Sequence, residues 1–164
     1  MWLHRRRALI ALSALFAGSA CGFTPAFGPE GGASVLQDNL RVVAPDRRDG
    51  FLMAQRLEDR FGRNDGGRYV LTATPTIRRQ GLATSVEGTT NRFQVTGVVD
   101  FALRDTQSDT VVRQGRVNDF TGFSATGSTV ATLAAERDAT ARLMVILADQ
   151  IVDRLIISAS GLPA

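Results

Sequence analysis

Several side chains are scarce or missing in this sequence. Lysine is absent, so all 19 basic residues are arginine, and His4, Trp2 and Cys21 are each the only one of their kind. His4 and Trp2 lie in the first four residues, in the stretch "MWLHRRR". A chain that loses its N-terminus keeps no imidazole, and with Cys21 modified it keeps no free thiol. Zinc sites of the Cys or His type are then excluded. So are Ser-His-Asp and Cys-His catalysis. One cysteine also precludes a disulfide within the chain, so stability must come from packing. Long apolar runs are missing as well, and no stretch reaches the roughly 20 residues of a membrane-spanning helix.

What is present begins with a leader. Arg5, Arg6 and Arg7 form a basic start, followed by the apolar residues Ala8 to Ala20. Such a short apolar core behind a basic start reads as a secretory signal, absent from the mature protein. The segment "GSAC" places small side chains directly before Cys21. It resembles a bacterial lipobox, whose cysteine thiolate takes a diacylglyceryl group before cleavage. Gly18 stands where the usual lipobox has leucine; a plain signal peptide with a chance cysteine is the competing reading. Lipidation predicts Cys21 as the first mature residue, carrying fatty acyl chains such as palmitate. Each buried methylene contributes about 0.8 kcal/mol, so more than one chain anchors stably where one is marginal. Gly22, rather than aspartate, follows the cysteine, which by the usual bacterial sorting rule favours the outer membrane. Residues 1–20 are thus the leader and 21–33 the acylated cysteine with a tether rich in Gly and Pro. A single domain covers residues 34–160.

Charge follows the same division. Three of the 19 arginines fall in the leader, which leaves 16 against 16 Asp plus Glu. The mature chain is neutral and its composition gives no reason to expect nucleic-acid binding, which needs a basic surface patch. Removing 20 of 164 residues leaves 144, which suits one core.

Periodicity supplies the elements. "ASVLQDNLRVVAP", with Val35, Leu40, Val42 and Val43, reads as a first strand stopped at Pro45. Phe51, Ala54, Leu57 and Phe61 recur at helical spacing, with Asp46 or Asp49 as cap and "NDGG" as the break. "RYVLTATPTIRRQ" is a strand with Tyr69, Leu71, Ala73 and Ile77 on one face. Its Pro75 predicts an edge or a bulge. "RFQVTGVVDFALR" alternates most clearly, with Phe93, Val95, Val99, Phe101 and Leu103 opposite Gln94, Thr96, Asp100 and Arg104. "TVVRQGRVNDFTGF" pairs back, with a bulge expected where the face of Val111 and Val117 gives way to that of Phe120. The last element is a helix of about 25 residues and about 38 Å. Its predicted stripe is Val130, Leu133, Ala134, Ala141, Met144, Leu147, Ala148, Ile151 and Leu155, with Asp138 and Arg142 paired on its exposed side. The order β-α-β-β-β-α predicts an α+β fold. It is a two-layer sandwich with a four-stranded, mostly antiparallel sheet and two helices packed on one face.

No phosphate-binding glycine loop or nucleophile elbow is present. Glu58 with Asp59 and Glu136 with Asp138 are the closest carboxylate pairs. Positions one and two apart do not share a helix face, so these read as solvated charge rather than an acid–base pair. Arg78, Arg79 and Arg92 bracket "QGLATSVEGTTN" near a strand tip. Guanidinium groups bind phosphate in a bidentate manner, so this cluster is a candidate for a phosphorylated lipid head. Ordinary solvated arginine is the plainer reading. The sheet face away from the helices, with Thr72, Thr74, Thr76, Gln94, Thr96, Arg104, Arg113 and Arg116, either docks a partner or faces water.

A cysteine followed by "CGF", this order of elements and the segment "ATLAAERDATARLMVILADQIVDRL" together resemble the lipopolysaccharide-assembly lipoprotein family, LptE. The resemblance spans about residues 21 to 157 and implies a non-enzymatic outer-membrane lipoprotein on the periplasmic side. It implies two partners: the β-barrel LptD, which the protein plugs and helps assemble, and lipopolysaccharide, delivered to the outer leaflet. By position it implies Arg92 and Arg137 as lipopolysaccharide-binding residues, with Arg78 and Arg79 beside them, and neither cofactor nor metal. The alternative is a periplasm-facing lipoprotein that binds another lipid or scaffolds other envelope proteins. A hydrolase using Glu58 or Glu136 is the third reading.

Overall fold

The computed structural model describes Gly28 and residues 33–84, 90–125, 127–159 and 161–163. The leader, Cys21 and most of the tether lie outside the described residues. The chain runs β1 (Leu40–Val43), α1 (Arg48–Phe61), β2 (Tyr69–Thr84), β3 (Thr90–Asp105), β4 (Thr110–Ser124) and α2 (Thr129–Ser158). The sheet order is β1-β2-β3-β4, with β1 parallel to β2 and the other pairs antiparallel. This is the predicted α+β order.

Side-chain alternation decides which face the helices cover. Tyr69, Leu71 and Ala73 of β2, Val95, Val99 and Leu103 of β3, and Val117 and Phe123 of β4 are buried. They meet Met53, Leu57 and Phe61 of α1 and Leu143, Met144, Leu147 and Ile151 of α2 in one apolar core. Thr72, Thr74, Thr76 and Asp100, on the alternate positions, are exposed. Pro75 sits in β2 without a bulge, opposite Val99. The Tyr69 N–H donates toward β1, to the Asn39 carbonyl. Positions two apart point the same way, so Pro75 lacks its N–H on the side where β1 has already ended at Val43.

Several local expectations are corrected. Val35 lies in a turn before β1, which starts only at Leu40. The N-cap of α1 is Arg47, and no side chain caps it; Asp46 precedes the cap and Asp49 lies in the first turn. The buried stripe of α1 is Gly50, Met53, Leu57 and Phe61, so Phe51, one position off it, is exposed. The helix stops before "NDGG", at Gly62, whose φ of 83° suits glycine and whose N–H bonds the Glu58 carbonyl. In β4 the register shift falls between the Arg113 and Val111 pairings, not near Phe120. Val111 and Phe120 therefore share the uncovered face, and both are exposed. Arg113, expected on the uncovered face, is in phase with Val117 and lies on the helix side, where its Nε donates to the Ser158 carbonyl at 2.7 Å.

The last helix has 30 residues, about 45 Å at 1.5 Å each. Its burial begins only at Ala139. Val130, Leu133 and Ala134, expected in the core, are exposed. From Ala139 onward polar ties hold α2 in place. Thr121 donates its hydroxyl to the Ala139 carbonyl, Gln150 donates to Asp119, and Arg56 of α1 holds Asp149 with two bonds of 3.0 Å. The predicted Asp138–Arg142 pair forms.

Candidate functional site

The predicted arginines do not form one cluster. Arg78 and Arg79 are neighbours in β2, so their side chains leave opposite faces of the sheet. Arg79 continues the face of Tyr69 and Ile77 and reaches the start of α2, where its Nη1 donates to Glu136 Oε2 at 2.8 Å. Its guanidinium also lies 5.5 Å from the centroid of the Phe93 ring, and Phe93 stacks on Phe123 at 5.2 Å. Edge aromatics thus close the core beneath the ion pair. This engagement ties Arg79 to Glu136 across the sheet and the last helix. The suggested partner of Glu136, Asp138, is taken by Arg142.

Arg78 and Arg92 stand on the uncovered face. Arg78 lies opposite Thr96, and Arg92 lies opposite Ala83 and Ser124 nearer the tip. Both are exposed, and neither has a carboxylate partner among the described residues. A shallow groove of about 560 Å³ runs between Thr72, Thr74, Asp100, Gln114 and Arg116 on the same face. Asp100 and Arg116 pair across it at 2.6 Å, and this hydrogen bond from Arg116 holds the Asp100 carboxyl below its ordinary pKa. Charges in the groove therefore cancel.

Arg137 is elsewhere. It projects from the exposed first part of α2 into a cleft of about 180 Å³ between the two helices. That cleft is lined by Arg48, Asp49 and Leu52 of α1 and by Leu133, Glu136 and Arg137 of α2. Sequence reasoning missed Arg48 because it stands 89 positions from Arg137 and only helix packing joins them. A further ion pair, Arg68 with Asp105 at 2.9 Å, sits at the opposite end of the sheet from the tip and ties the start of β2 to the end of β3. Among the described residues no three His, Cys, Asp or Glu groups assemble as a metal site. No helix there is long and apolar enough to cross a membrane.

Two helices on one face of a β1-β2-β3-β4 sheet, with arginines at its tip and along its helix cleft, define a two-layer α+β domain with cationic surfaces. The particular family follows from the sequence. The model of LptE, lipopolysaccharide-assembly, matches residues 37–155, and the chain belongs to that family. A candidate lipoprotein from Caulobacter crescentus CB15 is 26% identical, with a TM-score of 0.66 over 82% of this chain and 100% of that one. The rare lipoprotein B of Shewanella oneidensis, 13% identical, shares the fold at a TM-score of 0.59 over 74% of this chain and 96% of that one. A minor lipoprotein from Acinetobacter baumannii, 23% identical, does so at 0.51 over 76% and 91%. Comparison with curated proteins gives no match.

Proposed function

We propose that this chain is an acylated outer-membrane lipoprotein that plugs and helps assemble the barrel LptD and binds lipopolysaccharide on its way to the outer leaflet. The observation that carries the reading is the family match over residues 37–155. Cys21 is its acylated residue, residues 1–20 its leader, residues 21–33 its tether and residues 34–160 its domain. The protein acts by binding, not by catalysis, on the periplasmic side of the membrane. A lipid tether raises the effective concentration of the domain for a membrane partner.

Arg92 and Arg137 are the leading contacts for the glycolipid phosphates. Both are exposed and free of carboxylate partners among the described residues. Arg78 shares these properties, whereas Arg79 is committed to Glu136. A mild-detergent pull-down of the tagged protein from outer membranes, with partners identified by mass, tests the reading. A stoichiometric large β-barrel is the expected outcome. A different envelope protein in its place would favour the scaffold alternative and reject the plug.

A further inference from the structure

The cleft between the helices has an unequal charge arrangement. Four charged side chains line it: Arg48, Asp49, Glu136 and Arg137. Both acids are engaged by arginines that do not line it, Asp49 by Arg47 at 3.8 Å and Glu136 by Arg79 at 2.8 Å. Arg48 and Arg137 are left with no carboxylate among the described residues. The two cations come from different helices and face one space.

The remaining lining is Leu52, Leu133 and Thr140, whose hydroxyl is spent on the Glu136 carbonyl at 2.9 Å. Leu52 is half-buried and Leu133 is exposed. Beyond them Phe51 is 68% exposed and Val130 78% exposed. Leu52 packs against the edge of the core, whereas Leu133, Phe51 and Val130 lie outside it. Two unpaired guanidinium groups beside an uncovered apolar wall match an anionic amphiphile.

We infer that this cleft is a subsite for a phosphate-bearing amphiphile, with Arg48 and Arg137 on the phosphate and Leu52 and Leu133 against the first part of its chain. The inference rests on the glycolipid reading of Arg137 and adds to it a second cation and an apolar wall. At about 180 Å³ the cleft is smaller than the roughly 300–1,000 Å³ of a pocket for a whole ligand. It therefore takes a headgroup and leaves the acyl chains to lie outside, along Phe51 and Val130. Arg92, on the other face of the sheet, belongs to a separate contact.

The test is isothermal titration of the full acylated chain in a nonionic detergent. The probes are lipopolysaccharide, dihexanoyl phosphatidic acid, dihexanoyl phosphatidylcholine and inorganic phosphate. A lost charge-assisted hydrogen bond predicts that Arg48→Gln and Arg137→Gln each weaken phosphatidic acid binding about tenfold. Leu133→Ser weakens phosphatidic acid and leaves inorganic phosphate unchanged. Arg41→Gln, an exposed change on β1, alters nothing. Unchanged phosphatidic acid binding in Arg48→Gln, with lipopolysaccharide still bound, overturns the cleft and spares the glycolipid reading. Phosphatidic acid binding that depends on Arg48, with no lipopolysaccharide bound, supports the cleft and overturns the glycolipid reading. Phosphatidylcholine bound as tightly as phosphatidic acid overturns the phosphate assignment. Inorganic phosphate bound as tightly overturns the amphiphile and leaves a simple anion site.

Discussion

Asp105 is the one charged side chain in the core among the described residues, at 3% exposure. Arg68 donates to both of its oxygens, and the Gln107 N–H donates to it as well. The Arg68 hydrogen bond is the main reason its carboxyl titrates below the ordinary aspartate value, outweighing the opposite effect of burial. The folded pKa is thus depressed below the unfolded value of about 3.9. The pair's contribution is present above that value and is lost as pH falls through the folded pKa. Urea midpoints should therefore drop on acidification below about pH 4. Asp105→Asn should be less stable at neutral pH and show a shallower acid limb. Parallel pH profiles for the two proteins would reject the assignment. Gly97 makes a second residue-scale case. A Cβ there would stand 2.7 Å from Leu147 Cδ1 and 3.1 Å from Leu143 Cδ2. Gly97→Val should cost about 1–3 kcal/mol by overpacking. A thermal melt within error of the parent protein would show that α2 can yield at that point.

At the scale of the element, α2 is two helices in one. Its first ten residues, Thr129 to Asp138, contain no buried side chain, whereas Leu147, Ile151 and Leu155 are closed off. The split explains why the apolar stripe was misread at its start. Period 3.6 shows which residues share a face but not where the sheet beneath them ends. Leu147→Ala should destabilise by about 2–5 kcal/mol. Leu133→Ser should stay within about 0.5 kcal/mol, as surface changes do. Chemical denaturation of both variants decides this, and comparable losses would mean that the start of α2 is packed after all. Any binding defect of Leu133→Ser then reports on the cleft and not on folding. The same distinction of buried from exposed turns accounts for Phe51, whose neighbour Gly50 takes the position against Pro45.

For the whole molecule, the arrangement of cations bears directly on the proposed role. The arginines grouped by sequence proximity divide between the uncovered sheet face, with Arg78 and Arg92, and the helix layer, with Arg79 and Arg137. One glycolipid bridging both Arg92 and Arg137 must wrap around the sheet tip. Arg92→Gln and Arg137→Gln should therefore weaken lipopolysaccharide binding in an additive way if the contacts are separate. Strong non-additivity in titrations of the double variant would place them in one site. Anchoring is tested independently of the domain. Cys21→Ala should block acylation and disturb membrane anchoring, read as loss of the acyl mass from the N-terminus and an altered membrane fractionation. An unmodified Cys21 in a mass spectrum of the parent protein would remove the lipoprotein reading altogether.

The sequence by itself determined the order of elements and the inward faces of β2 and β3. Alternation at Tyr69, Leu71 and Ala73 and at Val95, Val99 and Leu103 is a local property that burial against any layer would satisfy. It also limited the chemistry, since one histidine and one cysteine leave few catalytic or metal-binding options. Only the tertiary structure decided which charges meet. A single residue left over in β4 turns Val111 outward while Arg113 stays in phase with Val117 on the helix side, and no pattern shorter than the whole ladder reports it. Arg48 and Arg137 come together because α1 and α2 lie on one sheet face, each taking its place from core packing remote from either arginine. Periodicity acts along the chain over a few residues, whereas ion pairs and clefts form between elements that only the closed core brings together.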